Sequence, residues 1–199
     1  MNDTDRQYEI LPLTPERWPD LEKLFGPRGA VGGCWCMYWR LPSAEYEQLK
    51  GAPNRAALRD LTQTGEIPGL LAYREGEPVG WCSLAPREIF LRLERSRILA
   101  PVDELPVWSI VCFFIHRKHR RSGLSLYLLE AAVDFAKAQG AQVLEGYPVE
   151  PKSDSMPPVF AYTGLASTFR KAGFREVARR SETRPVMRLD LSQETERAG

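Results

Sequence analysis

The stretch from Val107 to Ala138, VWSIVCFFIHRKHRRSGLSLYLLEAAVDFAKA, constrains this chain more than any other. Val107 to Ile115 is almost wholly apolar, too short for a helix and rich in β-branched and aromatic residues, the composition of a buried central strand. A basic turn follows, His116 to Arg121, and then Ser122 and Gly123 open a segment in which Leu124, Leu128, Ala131, Phe135 and Ala138 recur at the spacing of one helix face. The junction has a specific physics. The first turn of a helix leaves about four N–H groups without intrahelical partners, and the peptide dipoles put partial positive charge at the same end. Gly123 has no Cβ, so an anion can approach the backbone or the chain can take a positive φ, while Ser122 is a candidate helix cap. His116, Arg117, Lys118, His119, Arg120 and Arg121 add steering charge. Strand, cationic turn and helix start together describe either an anion site or an ordinary solvated basic loop.

Arg120-x-x-Gly123-x-Ser125, placed between an apolar strand and a helix, resembles the Arg/Gln-x-x-Gly-x-Gly/Ala signature of the GCN5-related N-acetyltransferase (GNAT) superfamily. Downstream, FRKAGFREV (Phe169 to Val177) resembles the helix-turn-strand that this family closes with, usually Tyr-x-x-x-Gly-Phe. The resemblance implies one domain over residues 1–199 with an α/β fold of the α+β type. Its central sheet would be mixed and mostly antiparallel, with about six or seven strands flanked by helices. A V-shaped split would lie between the Val107–Ile115 and Val143–Tyr147 strands. It further implies acetyl-coenzyme A as donor and no metal. The coenzyme pyrophosphate would rest on Arg120, Arg121, Ser122, Gly123, Leu124 and Ser125, and the pantetheine arm on the backbone of Phe113 and Ile115.

Bulk properties narrow the partners. A net charge of +1, from 27 basic and 26 acidic residues, argues against a nucleic-acid-binding surface. The polar start MNDTDRQYE is unlike a signal peptide, and no apolar run approaches a membrane span, so a cytoplasmic protein without membrane contact is expected, as monomer or homodimer. Cys82 and Cys112 lie inside strand-like runs as small hydrophobes. Cys34-Trp35-Cys36 has neither the usual zinc spacing nor the two-residue gap of dithiol redox motifs, which leaves structural or pocket-lining thiols ahead of metal or redox function.

Along the chain, Tyr8 to Leu13 alternates as a first strand, and Thr14-Pro15-Glu16 starts a helix with Trp18, Leu21, Leu24 and Phe25 as its apolar stripe. Gly32 to Arg40 holds three aromatic residues, which suit either a core plug or an acceptor pocket. The resemblance favours the pocket, with Trp35, Tyr38, Trp81 and Tyr147 as candidate lining residues. Asn54 to Thr64 is expected to be a helix capped by Asn54. Gly69 to Arg74 and Pro78 to Ala85 form a hairpin around Glu75-Gly76-Glu77. Pro86 to Pro106 is a loop with a short helix, whose arginines Arg87, Arg92, Arg95 and Arg97 are either solvated or phosphate ligands. Val143 to Tyr147 is a strand, Pro148 to Tyr162 a proline-rich loop, Leu165 to Ala172 a helix, and Arg175 to Ser181 with Pro185 to Leu191 a closing hairpin, with residues 192–199 as a frayed tail.

The chain departs from the family where chemistry is done. The resemblance places a glutamate base four residues before Phe113, and Ser109 stands there; serine can position a water but does not take the proton outright. The resemblance places a proton-donating tyrosine where this chain has Phe169. Glu145, on one face with Val143 and Tyr147, is the replacement base, a salt-bridged strand carboxylate or a solvated edge residue; His116 ranks lower because it lies on the phosphate side. Tyr162, seven residues upstream of Phe169, is the replacement acid if the Leu165–Ala172 helix begins earlier and carries its ring into the cleft. Two functions then compete: an N-acetyltransferase that passes the acetyl group directly to an amine, small-molecule or peptide, and a degenerate acyl-coenzyme A binding or sensor module.

Overall fold

A computed structural model describes residues 7–152 and 158–192. One seven-stranded sheet organises it, in the order β1-β2-β3-β4-β5-β7-β6. The strands are β1 (Glu9–Pro12), β2 (Gly69–Arg74), β3 (Glu77–Pro86), β4 (Trp108–Ile115), β5 (Val143–Gly146), β6 (Arg175–Arg179) and β7 (Pro185–Asp190). All neighbours are antiparallel except β4 and β5. That parallel pair needs a crossover, which α5 (Leu124–Ala138) provides.

The two faces of the sheet follow from strand alternation. Gly80, Cys82 and Leu84 on β3 face α5, whose buried strip is Leu124, Leu128, Leu129, Ala132 and Ala136; of the face expected from the spacing only Leu124 and Leu128 are fully buried, Ala131 and Phe135 are half-buried and Ala138 is exposed, so the helix is rotated from the expected face. Phe113, Phe169 and Phe174 continue this core under α6 (Ala166–Lys171). On the opposite face, Trp81 and Leu71 pack against Trp18, Leu21, Leu24 and Phe25 of α1 (Trp18–Phe25) and against Trp35. A third cluster, with Trp39, Phe90, Leu93, Val111 and Tyr147, fills the space beneath α4 (Leu91–Glu94). The remaining α-helices among the described residues are α2 (Ser43–Gln48) and α3 (Ala52–Gln63).

Two expectations about caps change. α3 starts at Ala52 behind Gly51, so Asn54 lies inside the helix, where it is fully buried and donates to the Gly33 carbonyl at 3.4 Å. α5 has Gly123, not Ser122, at its cap position. The hairpin turn is as anticipated: Glu75 and Gly76 take φ of 53° and 76°, the two positive values that a tight right-twisting hairpin needs. The expected tail of the chain beyond residue 192 and the middle of the proline-rich loop, 153–157, lie outside the described residues.

Candidate active site

The cationic turn has the geometry of an anion cradle. After β4 a short helical turn, Arg117–His119, leads to Arg121 at φ 62° and Gly123 at φ 82°, ψ −5°. Leu126 N–H turns back to the Gly123 carbonyl at 2.8 Å, so the N–H groups of Leu124 and Ser125 begin the helix without intrahelical partners. A Cβ built on Gly123 would meet nothing within 4 Å, which leaves the backbone there open to approach. Ser122 Oγ is occupied elsewhere: it donates to the His119 carbonyl at 2.6 Å and accepts from Tyr8 at 2.9 Å. Arg120 Nε donates to the Ile115 carbonyl at 3.1 Å, which ties its guanidinium to the β4 edge. Burial, and then the charges of His119, Lys118, Arg117 and Arg120, hold the His116 imidazole below its ordinary pKa. An anion at this turn would satisfy the helix amides and relieve that repulsion together.

The split predicted beside β4 is present. β4 and β5 pair only over Trp108–Leu144, Ser109–Glu145 and Ile110–Gly146, and then diverge. Opposite Ser83 and Leu84 the β3–β4 register skips Val111, so Val111 and Cys112 form a bulge. Their side chains pack on one face, away from Ile110 and Phe113. Phe113 therefore turns its N–H toward the split. Here that N–H is taken by the Tyr162 carbonyl, at 2.5 Å. On its other side the same segment pairs with the continuation of β5: Val149 N–H donates to Gly164 and Ala166 N–H to Val149, both at 2.9 Å. A strap of about five residues, 162–166, thus lies between the diverging strands like an inserted strand. Gly164 permits it, because a Cβ there would stand 2.7 Å from Phe169 and 3.1 Å from Phe113. Alternation puts Ile115 on the same backbone edge as Phe113.

Beyond the bulge lies a cavity of about 320 Å3, within the range of small-molecule sites. Tyr38, Trp39, Tyr46, Phe114, Phe160 and Tyr162 form its aromatic wall, and Cys34, Cys36 and Cys112 its thiol wall. No carboxylate lines it among the described residues. Behind the wall, the Arg92 guanidinium sits 4.0 Å from the centre of the Tyr38 ring and 5.2 Å from that of Tyr46. Burial raises the Tyr162 phenol well above its ordinary pKa, so it stays protonated. A larger open depression, about 540 Å3, lies on the α1 side between Glu22, Gly33 and Arg55, away from β4.

Ser109, Glu145 and Tyr147 do come together, but as a closed network. Tyr147 Oη donates to Glu145 Oε1 at 2.6 Å and meets Ser109 Oγ at 2.8 Å. Arg87 Nη1 donates to Tyr147 Oη at 2.6 Å and to Glu145 Oε1 at 3.1 Å, and Arg188 Nε donates to Glu145 Oε2 at 2.6 Å. Ser109, Glu145 and Tyr147 have no solvent exposure. Burial, then the neighbouring Glu145 charge, pushes the Tyr147 phenol well up. Both oxygens of Glu145 are engaged, and a base needs a lone pair facing the nucleophile. The network joins β4, β5 and β7 to the Arg87 turn, and none of its residues lines the cavity.

The predicted residues therefore divide. Tyr38 and Tyr162 reach the cavity, and Phe113 is at its edge. Tyr162 arrives through the strap and not through an earlier start of α6, which begins at Ala166. Trp81 is fully buried, with its Nε1 donating to Cys36 Sγ at 3.0 Å. Trp35 stacks on Trp18 in the α1 core and lines the α1-side depression. Tyr147 belongs to the buried network, so these three are removed from the pocket. Arg87 is neither solvated nor placed for phosphate; it is buried and also donates to the Leu99 carbonyl at 2.8 Å. The strap was not legible, because a backbone carbonyl leaves no side-chain signature.

A sequence profile described as the acetyltransferase (GNAT) family matches residues 35–153. No curated protein matches the chain. Among solved structures, an acetyltransferase of the GNAT family from Streptococcus agalactiae is 12% identical, with a TM-score of 0.54 over 93% of this chain and 96% of that one. PaiA N-acetyltransferase from Thermoplasma acidophilum, in complex with coenzyme A, is 14% identical, with a TM-score of 0.51 over 92% and 98%. YncA from Salmonella typhimurium, solved with its cofactor acetyl-CoA, is 13% identical, with a TM-score of 0.52 over 95% and 96%. At such identities the neighbours speak for the fold, which is a mixed, mostly antiparallel open sheet with a split beside β4. With the profile covering more than half of the residues and both signature segments in place, the chain belongs to the acetyltransferase (GNAT) family.

Proposed function

We propose that this protein is an acetyl-CoA-dependent N-acetyltransferase that passes the acetyl group directly to the amine of a small, partly apolar acceptor. One observation carries the reading: the last residues of β4 join the two half-sites, with Cys112 to Phe114 in the wall of the aromatic cavity and Ile115 at the entrance to the Arg120–Ser125 cradle. A coenzyme laid along that edge places pyrophosphate on the amides of Leu124 and Ser125, its amide-rich arm against Ile115, and its thioester at Phe113. The thioester carbonyl then exchanges with the Tyr162 carbonyl at the Phe113 N–H, which becomes the oxyanion donor. Complexes of two fold neighbours with coenzyme A or acetyl-CoA support the donor.

The cavity supports an acceptor that arrives neutral. Without a lining carboxylate among the described residues and with Arg92 behind the wall, it offers a cationic ammonium no ion-pair partner. The protonated Tyr162 phenol lies beside the thioester position and gives its proton to the departing coenzyme thiolate. The competing reading, a coenzyme-binding module without turnover, is favoured by the engaged Glu145 and by the capped Phe113 N–H. A coupled thiol-release assay over a panel of aromatic and aliphatic amines separates them. The transferase reading predicts release that saturates with at least one amine; coenzyme A binding with no release on any amine would sink it.

A further inference from the structure

Among the described residues no charged side chain lines the aromatic cavity, but cations stand on its rings from behind. The Arg92 guanidinium lies 4.0 Å from the centre of the Tyr38 ring and 5.2 Å from that of Tyr46, and Lys50 Nζ lies 5.3 Å from the Tyr46 centre. Lys50 is paired with Glu47, whereas Arg92 Nε donates to the Leu41 carbonyl at 3.3 Å and its Nη2 is buried without a hydrogen-bond partner. A cation on a ring draws π density toward itself, so the parts of the ring turned away from it are left short of electrons. Burial pushes the Tyr46 phenol up to about 12 and the Tyr162 phenol well above its ordinary range, so neither supplies a compensating phenolate. Rings in that state disfavour an ammonium and favour the negative π face of a second arene. A carboxylate gains nothing in its place, because Arg92 does not line the cavity and an anion there would lose its water without meeting the guanidinium. Size and shape agree. A benzene ring fits an apolar cavity of about 150 Å3, so the cavity of about 320 Å3 takes one ring or two fused ones. Phe113 and Phe114 stand at the β4 end, where the thioester would lie, while Val31 and Phe160, each more than half exposed, mark the mouth.

Resting on the N-acetyltransferase reading, we propose that the acceptor is an arylamine: one or two fused aromatic rings that carry the amino group directly, with the rings among Tyr38, Tyr46 and Tyr162 and the amino group toward Phe113. An amine on an aromatic ring shares its lone pair with that ring and is neutral at physiological pH, so it arrives ready to attack. An alkylamine with a pKa like that of lysine, about 10.4, is neutral in only about one molecule in 2,500 at pH 7. Ser109 in place of a glutamate, and a Glu145 closed in its network, are then no obstacle, because no ammonium has to be deprotonated. The arylamine nitrogen attacks the thioester carbon, and the C–S bond to coenzyme A breaks as the C–N bond forms. Tyr162 protonates the departing thiolate and recovers a proton from the attacking nitrogen, so the balance is one anilide and one coenzyme A thiol.

The test measures Kd by calorimetry at pH 7, with coenzyme A bound, for aniline, cyclohexylamine, 4-methoxyaniline and 4-nitroaniline on the wild type and on Arg92→Met, and follows thiol release with the same amines. Binding is the readout because a methoxy group also makes the nitrogen a better nucleophile. The wild type is expected to bind electron-rich 4-methoxyaniline about two- to tenfold tighter than electron-poor 4-nitroaniline, the worth of one ring–ring contact. Aniline should bind tighter than cyclohexylamine, which matches it in size but has no π face and carries a proton. Arg92→Met keeps the length of the side chain and removes its charge, so the methoxy-over-nitro preference should fall below about twofold with coenzyme A affinity unchanged. An equal or reversed preference in the wild type, or tighter binding of cyclohexylamine, overturns the proposal whether or not the variant folds; a preference that survives in a folded Arg92→Met overturns the part given to the cation. Turnover of alkylamines without binding of any arylamine overturns the arylamine and leaves the transferase. Arylamine binding without turnover of any amine removes the transferase reading and the arylamine as its acceptor.

Discussion

Replacing Glu145 by glutamine should unfold this protein at lower temperature without touching its chemistry. The carboxylate is fully buried, with Arg87 at 3.1 Å and Arg188 at 2.6 Å, and both arginine side chains are themselves about nine-tenths or more out of solvent. Removing one partner from a buried ion pair costs ~3–5 kcal/mol, because a charge is left without compensation. Here the cost falls at the lower end, since Arg87 keeps Glu94 at 3.0 Å and Arg188 keeps Asp103 at 2.7 Å. The new amide also presents N–H where Oε2 accepted from Arg188, so one donor faces another. With about 3 kcal/mol lost, and about 2–4 °C per kcal/mol for a chain of 199 residues, Tm should drop by about 6–12 °C. Thermal unfolding by circular dichroism measures this, with kcat followed against pH well below the transition. Replacing Arg188 by methionine in the same background should restore part of the loss. An unchanged Tm together with a lost limb in the pH–rate profile would refute the reasoning and return Glu145 to the role of base.

Gly123→Asp should abolish coenzyme A binding in calorimetry, because it sets a like charge against pyrophosphate at the helix start and forces a β-substituted residue to φ 82°; retained affinity would move the coenzyme elsewhere. Tyr162→Phe should lower kcat about a hundredfold with the KM for acetyl-CoA unchanged. Since burial raises the Tyr162 phenol, the wild type should show no descending limb from it across neutral pH; a limb there that disappears in the phenylalanine variant would contradict the raised phenol, and an unchanged kcat in that variant would contradict its role as acid.

Much of this fold was legible because its elements are locally consistent. The apolar run of β4, the helical period of α5, if not its buried face, and the two positive-φ positions around Gly76 each leave a pattern that tertiary packing does not overrule. The cradle was legible for the same reason, since a cationic turn, a glycine and a helix start are adjacent in the chain. The acceptor side was not, because its groups come from distant segments. Trp81 and Tyr38 are both aromatic residues on plausible faces, and only packing separates the one locked beneath Cys36 from the one facing the cavity. Glu145 looked like a spare carboxylate until Arg87 and Arg188 closed on it from residues 58 and 43 positions away. Asn54 had a cap's chemistry, but Pro53 in the first turn and Gly51 before it moved the helix start. Cys112 looked like a small strand hydrophobe because nothing in an apolar run announces a bulge.

Acetyl-CoA should occupy the β4 edge and displace the Tyr162 carbonyl from the Phe113 N–H. Amide 15N–1H spectra recorded during titration with coenzyme A and with acetyl-CoA test this directly. Both ligands should shift the amides of Gly123, Leu124 and Ser125, and the Phe113 amide should respond differently to the acetylated ligand, which alone brings a carbonyl to it. Shifts confined to other parts of the sheet, or a Phe113 amide indifferent to the acetyl group, would contradict it.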